Sequence, residues 1–99
     1  MIEKWKAIKT CPIAEVSTFG RFRYRAQKTS SGGLESLEIP IINGRIVLPI
    51  IDKNCLTIYT SLIALEVVVR AFMTENTSYK KVQFKDRDRT NLSLNNLIY

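Results

Sequence analysis

A chain of 99 residues with 45% apolar content supports one globular domain with a single modest core and leaves little length for a second. Fifteen Lys and Arg against nine Asp and Glu leave a formal charge of +6, which favours a polyanionic partner. Histidine is absent altogether, so the commonest general base of hydrolytic sites is excluded.

In chain order, Trp5 to Ile8 and Ala14 to Ser17 read as short strands separated by Pro12. Thr18-Phe19-Gly20 is a turn, with glycine where a positive φ is needed. Arg21-Phe22-Arg23-Tyr24-Arg25 alternates strictly, the period of a half-buried strand. Lys28 to Gly33 is polar and rich in Gly and Ser. The expected organisation within the single domain is therefore an N-terminal strand module over 1–28, a flexible connection over 29–36 and the remainder over 37–99. Leu37 to Ile42 and Arg45 to Ile51 flank Asn43-Gly44, a hairpin signal because both residues accept positive φ. Pro40 and Pro49 cannot donate ladder hydrogen bonds and must occupy edges, bulges or outward amide positions. Asp52-Lys53-Asn54 supplies a further turn before a strand at Leu56 to Tyr59, completing a three-stranded antiparallel meander.

Thr60 or Ser61 suits the N-cap of one main helix, Leu62–Met73, whose apolar positions cover most of its circumference. Val67-Val68-Val69 has poor helix propensity, so this helix should depend on burial against the sheet. Glu75 to Ser78 ends it, Val82 to Phe84 is a final short strand, and the remainder is a loop with polar side chains bonding backbone. The fold class is α+β, mostly strand. Leu62 to Met73 is interrupted by Glu66 and Arg70 and falls short of the ~20 residues a membrane span needs. No signal-peptide hydrophobic region follows Met1-Ile2-Glu3-Lys4, so the expected location is the cytoplasm.

Two basic clusters stand out. Arg21, Arg23 and Arg25 fall on one strand face about 7 Å apart at ~3.4 Å per residue. With Lys28 they would contact successive phosphates while Phe22 and Tyr24 anchor the strand; the other reading is a solvated face with Glu partners. Lys80, Lys81, Lys85, Arg87 and Arg89 form the second cluster, with Asp86 and Asp88 interleaved. Those Asp residues either tie down the loop by accepting backbone amides or hold a divalent cation. Cys11 and Cys55 lack CxxC spacing and histidine partners, so free buried thiols are expected over a zinc site, with a disulfide as the alternative.

The segment from Val82 to Tyr99 resembles the core of phage and intron HNH homing endonucleases. Val82, Asp86, Asp88, Thr90, Asn91, Leu94, Asn96, Leu97 and Tyr99 fit that frame. The resemblance extends to Trp5-Lys6-Ala7-Ile8 and Val16-Ser17-Thr18-Phe19-Gly20-Arg21-Phe22-Arg23, similar to an N-terminal module often fused to these enzymes, and to the helix ending Arg70-Ala71-Phe72. It implies a degenerate ββα-type nuclease scaffold. Where the family carries its catalytic His this chain has Phe84; its metal-binding Asp or Asn is Gln83, its loop glycine is Arg87, and the chain stops at Tyr99 before the family's final helix. The resemblance thus implies a protein that is no longer an enzyme, with no cofactor or metal, binding DNA (RNA being the alternative) through the two basic clusters as a repressor or competitor. A rival expectation is a module that inhibits an acidic host or phage protein through the same surface, with no membrane partner.

Overall fold

The computed structural model describes residues 2–25, 27–28, 34–35, 37–51, 54, 56–73 and 78–99. The first hairpin pairs β1 (Trp5–Ile8) antiparallel with β2 (Cys11–Ser17), with a bulge between Ala7 and Ile8. The second strand starts earlier than expected and takes in Pro12, whose exposed ring lies where the register shifts, consistent with a residue that cannot donate. β3 (Phe22–Tyr24) pairs with β2 and buries Phe22, while Arg21 stays exposed and Arg23 half-buried. Phe22 therefore faces the core, as the alternation implies.

Residues 27–28 and 34–35 form a short ladder, β4 (Gln27–Lys28) with β5 (Leu34–Glu35). The remainder of the expected flexible connection, 29–33 and 36, lies outside the described residues. β6 (Glu38–Ile39) then joins the edge of the first sheet, giving the order β1-β2-β3-β6.

The three-stranded meander is not formed. Leu37 to Ile42 contributes only β6 to the N-terminal sheet, because Pro40 removes a ladder donor and ends the strand. Ile42 survives as a single bridge to Arg45 across Asn43 and Gly44, which carry φ of 52° and 75°. That turn is the one read from Asn-Gly, with reciprocal bonds of 2.8 and 2.9 Å between Ile42 and Arg45. β7 (Arg45–Ile51) instead pairs along its whole length with β8 (Thr57–Ile63) as a separate two-stranded sheet. Of the turn expected between them, residues 52 and 53 lie outside the described residues.

The helix α1 (Ala64–Phe72) starts two residues later than expected. Thr60 and Ser61 are not its cap but strand residues opposite Leu48 and Val47; Ile63 occupies the N-cap position without a side-chain bond. Cross-strand pairing has overridden the capping preference, and the first helical amide donates to Gly44 O at 2.9 Å. At the other end Lys6 Nζ donates to Ala71 O at 2.8 Å, a cation on the negative end of the helix dipole. Val68 and Val69 are fully buried, so burial offsets the poor propensity of the valine run. β9 (Gln83–Phe84) and β10 (Leu97–Ile98) close the chain as a two-stranded ladder around the loop between them.

One continuous core runs through all of these elements, from Val16 and Phe22 through Ile46, Leu48 and Val68 to Leu92 and Leu97. The architecture is α+β, with antiparallel sheets and one α-helix among the described residues. No described helix is long and apolar enough to cross a membrane.

Candidate nucleic-acid interface

The turn after β2 shows why its residues are what they are. Ser17 and Thr18 are buried, and Ser17 Oγ accepts the amides of Phe19 (3.1 Å) and Arg21 (3.2 Å). Thr18 exchanges bonds with Lys4, its Oγ1 accepting Lys4 N–H at 3.0 Å and its own N–H donating to Lys4 O at 2.9 Å. Gly20 has φ of 78°, and a Cβ there would lie 2.5 Å from Leu92 Cβ. Glycine is thus required twice over, for backbone sign and for the close approach of the C-terminal loop. The same contact is reinforced by Leu94 N–H donating to Thr18 O at 2.7 Å.

This turn presents Arg21 and Arg23 to a ring and to carboxylates. Arg21 pairs with both oxygens of Glu3, its Nε at 2.8 Å from Oε2, and Arg23 Nε lies 3.2 Å from Glu15 Oε1. Their guanidinium carbons stand 5.7 and 3.8 Å from the Trp5 ring centroid. The bonds from Arg21 hold the Glu3 carboxyl below its usual range and push the Arg21 guanidinium up. Arg25, past the end of β3, is exposed and carries no ion pair to a described residue. The side chain of Lys28 lies outside the described residues. Arg21 and Arg23 thus lie on one side over Trp5, and both already hold Glu partners.

The C-terminal loop is tied differently. Asp86 Oδ1 accepts Asp88 N–H (2.8 Å) and Asn96 Nδ2 (2.9 Å), and its Oδ2 accepts Asn91 Nδ2 (2.8 Å). The Asp86 amide donates to Asn96 Oδ1 at 3.1 Å, and Asp88 Oδ1 accepts the amide and hydroxyl of Thr90 at 3.0 and 2.6 Å. The donated bond from Asn91, then the Asp88 amide and Asn96, hold Asp86 below the usual carboxylate range. Both carboxylates accept bonds within the loop, so the loop-tying reading describes them. Among the described residues no group of three or more His, Cys, Asp or Glu could hold a metal ion.

Asp86 and Asp88 are exposed but hydrogen-bonded within the loop, and the cations beside them project into solvent. Lys80, Lys81, Lys85, Arg87 and Arg89 are exposed, and none forms an ion pair with a described carboxylate. Lys80, Lys81, Arg87 and Arg89 line one open groove together with Val82, Gln83 and Phe84; Lys85 is not part of that lining. Phe84 is half-buried against the core, and the Arg89 guanidinium stands 5.8 Å from its ring centroid. Arg87 adopts φ of 61°, closing a turn whose amide donates to Phe84 O at 3.0 Å.

The sequence did not single out Arg45 or Tyr79, which line an adjoining groove together with Lys80, Phe84 and Arg89. Tyr79 was legible as an aromatic beside Lys80-Lys81; Arg45 carries no local signal, because only the bridge at Ile42 and the β7–β8 register bring it there. Cys11 is a buried free thiol donating to Pro49 O at 3.2 Å, and desolvation raises its pKa, which makes it a poor nucleophile. Its proposed counterpart Cys55 lies outside the described residues. No protein-family model, curated protein or solved structure matches this chain.

Proposed function

We propose that this protein binds DNA through the cation-lined groove at Lys80, Lys81, Arg87 and Arg89, and that it does so as a catalytically inactive relative of the HNH endonucleases. The observation that carries the reading is this set of exposed cations without carboxylate partners, gathered around Phe84 on a loop whose own acids are occupied internally. A surface of this kind neutralises backbone phosphates and releases counterions without reading bases.

Two details support the ancestry. Arg87 holds a positive φ at the position where the family has a loop glycine. Asp86, Asp88, Thr90, Asn91 and Asn96, which carry the resemblance, are the residues that hydrogen-bond one another in the loop. On this reading the frame is a ββα-type scaffold whose polar residues are kept for loop geometry, while Phe84 and Gln83 supply neither a base nor a charged metal ligand. Such a protein occupies DNA as a repressor or competitor in the cytoplasm of a phage-infected host.

Fluorescence-anisotropy titration with a labelled duplex at low salt is the test. Micromolar or tighter binding that falls steeply with salt, without cleavage in magnesium or manganese, is expected. No measurable binding to either this duplex or a single-stranded oligonucleotide of the same length overturns the reading.

A second reading, a module that inhibits a host or phage protein, is favoured by one observation. The β7–β8 ladder exposes Val47, Ile58 and Tyr59 and carries no charge along β8, a surface suited to strand addition by a protein partner. Copurification of one protein at fixed stoichiometry after nuclease treatment would support it.

A further inference from the structure

The two depressions beside the C-terminal loop share Lys80, Phe84 and Arg89 but differ in character. The first is open and lined mainly by cations. The second is lined by the Asn43-Gly44 turn and the C-terminal loop and brings Ile63, Leu65 and Leu92 together with the aromatic side chains of Tyr79 and Phe84. Arg45, Lys80 and Arg89 stand around it, and no acidic residue lines it.

An occupant must satisfy both halves of that lining. A duplex matches the cations only, since its bases are stacked inside and offer no flat apolar face to the groove. A lipid tail matches the apolar residues only. An unstacked nucleotide matches both: its base offers a π-face to the aromatic lining residues, and its phosphates offer charge to the lining cations. The contact between Arg89 and the Phe84 ring adds a planar cation that can extend such a stack.

We infer that the groove between Tyr79 and Phe84 takes an unstacked base, so that the protein prefers single-stranded or locally melted nucleic acid to a closed duplex. This rests on the proposed nucleic-acid binding and names the form of nucleic acid that the same site selects. The preference is sequence-tolerant, because stacking uses a face that every base has. Gln83 and Asn43 lie beside the two depressions as neutral hydrogen-bonding groups and give only modest base discrimination.

The test uses the intact chain and three labelled probes of equal length: oligo(dT), an abasic oligonucleotide of identical charge, and a duplex. Oligo(dT) should bind about tenfold or more tighter than the abasic strand, the magnitude expected of one or two stacked bases. Tyr79→Ala should reduce that ratio severalfold, and Tyr79→Phe should preserve it. The abasic comparison needs no variant, so a Tyr79→Ala protein that fails to fold leaves the inference testable. Equal binding of oligo(dT) and the abasic strand overturns the groove while leaving phosphate binding intact; absence of binding to all three probes overturns the reading beneath it. Displacement of oligo(dT) by a Glu-Tyr copolymer at equal charge concentration would assign the groove to an acidic aromatic peptide instead.

Discussion

Arg21 and Arg23 near the start of the chain and Lys80, Lys81, Arg87 and Arg89 near its end are alike as sequence, clusters of basic residues. They differ in what the fold brings to them. Glu15 faces Arg23 across the β2–β3 pairing, Glu3 just before β1 bonds Arg21, and Trp5 lies near both guanidinium groups. In the C-terminal loop the acids are nearest neighbours of the cations yet are consumed by backbone amides and by Asn91 and Asn96. Charge near in sequence is therefore not charge paired in space. The difference between the two clusters is direct ion pairing: Arg21 and Arg23 hold carboxylates, while the loop cations pair with no described carboxylate.

Several substitutions break or sharpen that contrast. The largest effect belongs to Lys80→Ala, Lys81→Ala, Arg87→Ala and Arg89→Ala combined, which should reduce duplex affinity by roughly a hundredfold or more at low salt. If all four cations touch phosphates, the log–log salt slope should flatten by about 3.6 units, since each contact contributes about 0.9. Anisotropy titrations over a salt series read both quantities.

Gly20→Ala comes next, acting on the joint between the two regions. It forces an alanine Cβ into Leu92 at a φ that L residues rarely adopt, and should destabilise the protein by about 2–4 kcal/mol. Urea unfolding followed by circular dichroism gives the value, and a variant as stable as the parent would mean that turn and loop are not in contact.

Smaller and of opposite sign is Glu3→Gln with Glu15→Gln. Freeing Arg21 and Arg23 from their partners should raise duplex affinity by about twofold to fivefold, whereas Arg21→Ala with Arg23→Ala should lower it by less than about threefold. A large loss in the second variant would show that the arginine strand remains in contact with DNA despite its carboxylates.

The smallest effect is on pH dependence. Glu3 and Asp86 both have carboxyl pKa values below the ordinary ones of 4.5 and 3.8, so each stabilises the fold above its unfolded value and loses that contribution as pH falls through the lower folded value. The urea midpoint should decline below about pH 4.5, and less steeply in a Glu3→Gln, Asp86→Asn double variant.

What the sequence made legible follows the range of the interactions. The Asn43-Gly44 turn, the Phe22 face of β3 and the Asp86/Asp88 loop ties depend on neighbours within a few residues, and pattern alone located them. The helix was legible as an apolar run but not at its start, since nothing near Thr60 and Ser61 announces that both pair with β7. The meander failed for a similar reason: Ile39 satisfies its ladder against Phe22, far back in the chain, instead of against β7. At the candidate site the cations of the loop were visible, and the partners that separate a free cluster from an occupied one were not. Glu3, Glu15 and Arg45 reach their places only through tertiary pairing.

The central claim is that the C-terminal loop, and not the arginine strand, meets nucleic acid. A nitrogen–proton correlation spectrum of the labelled protein, titrated with a short oligonucleotide, tests it residue by residue. The account predicts amide shifts clustered at Tyr79 to Thr90 and at Arg45, with Arg21 to Arg25 little moved. Shifts concentrated at Arg21, Arg23 and Arg25 with a silent C-terminal loop would contradict it.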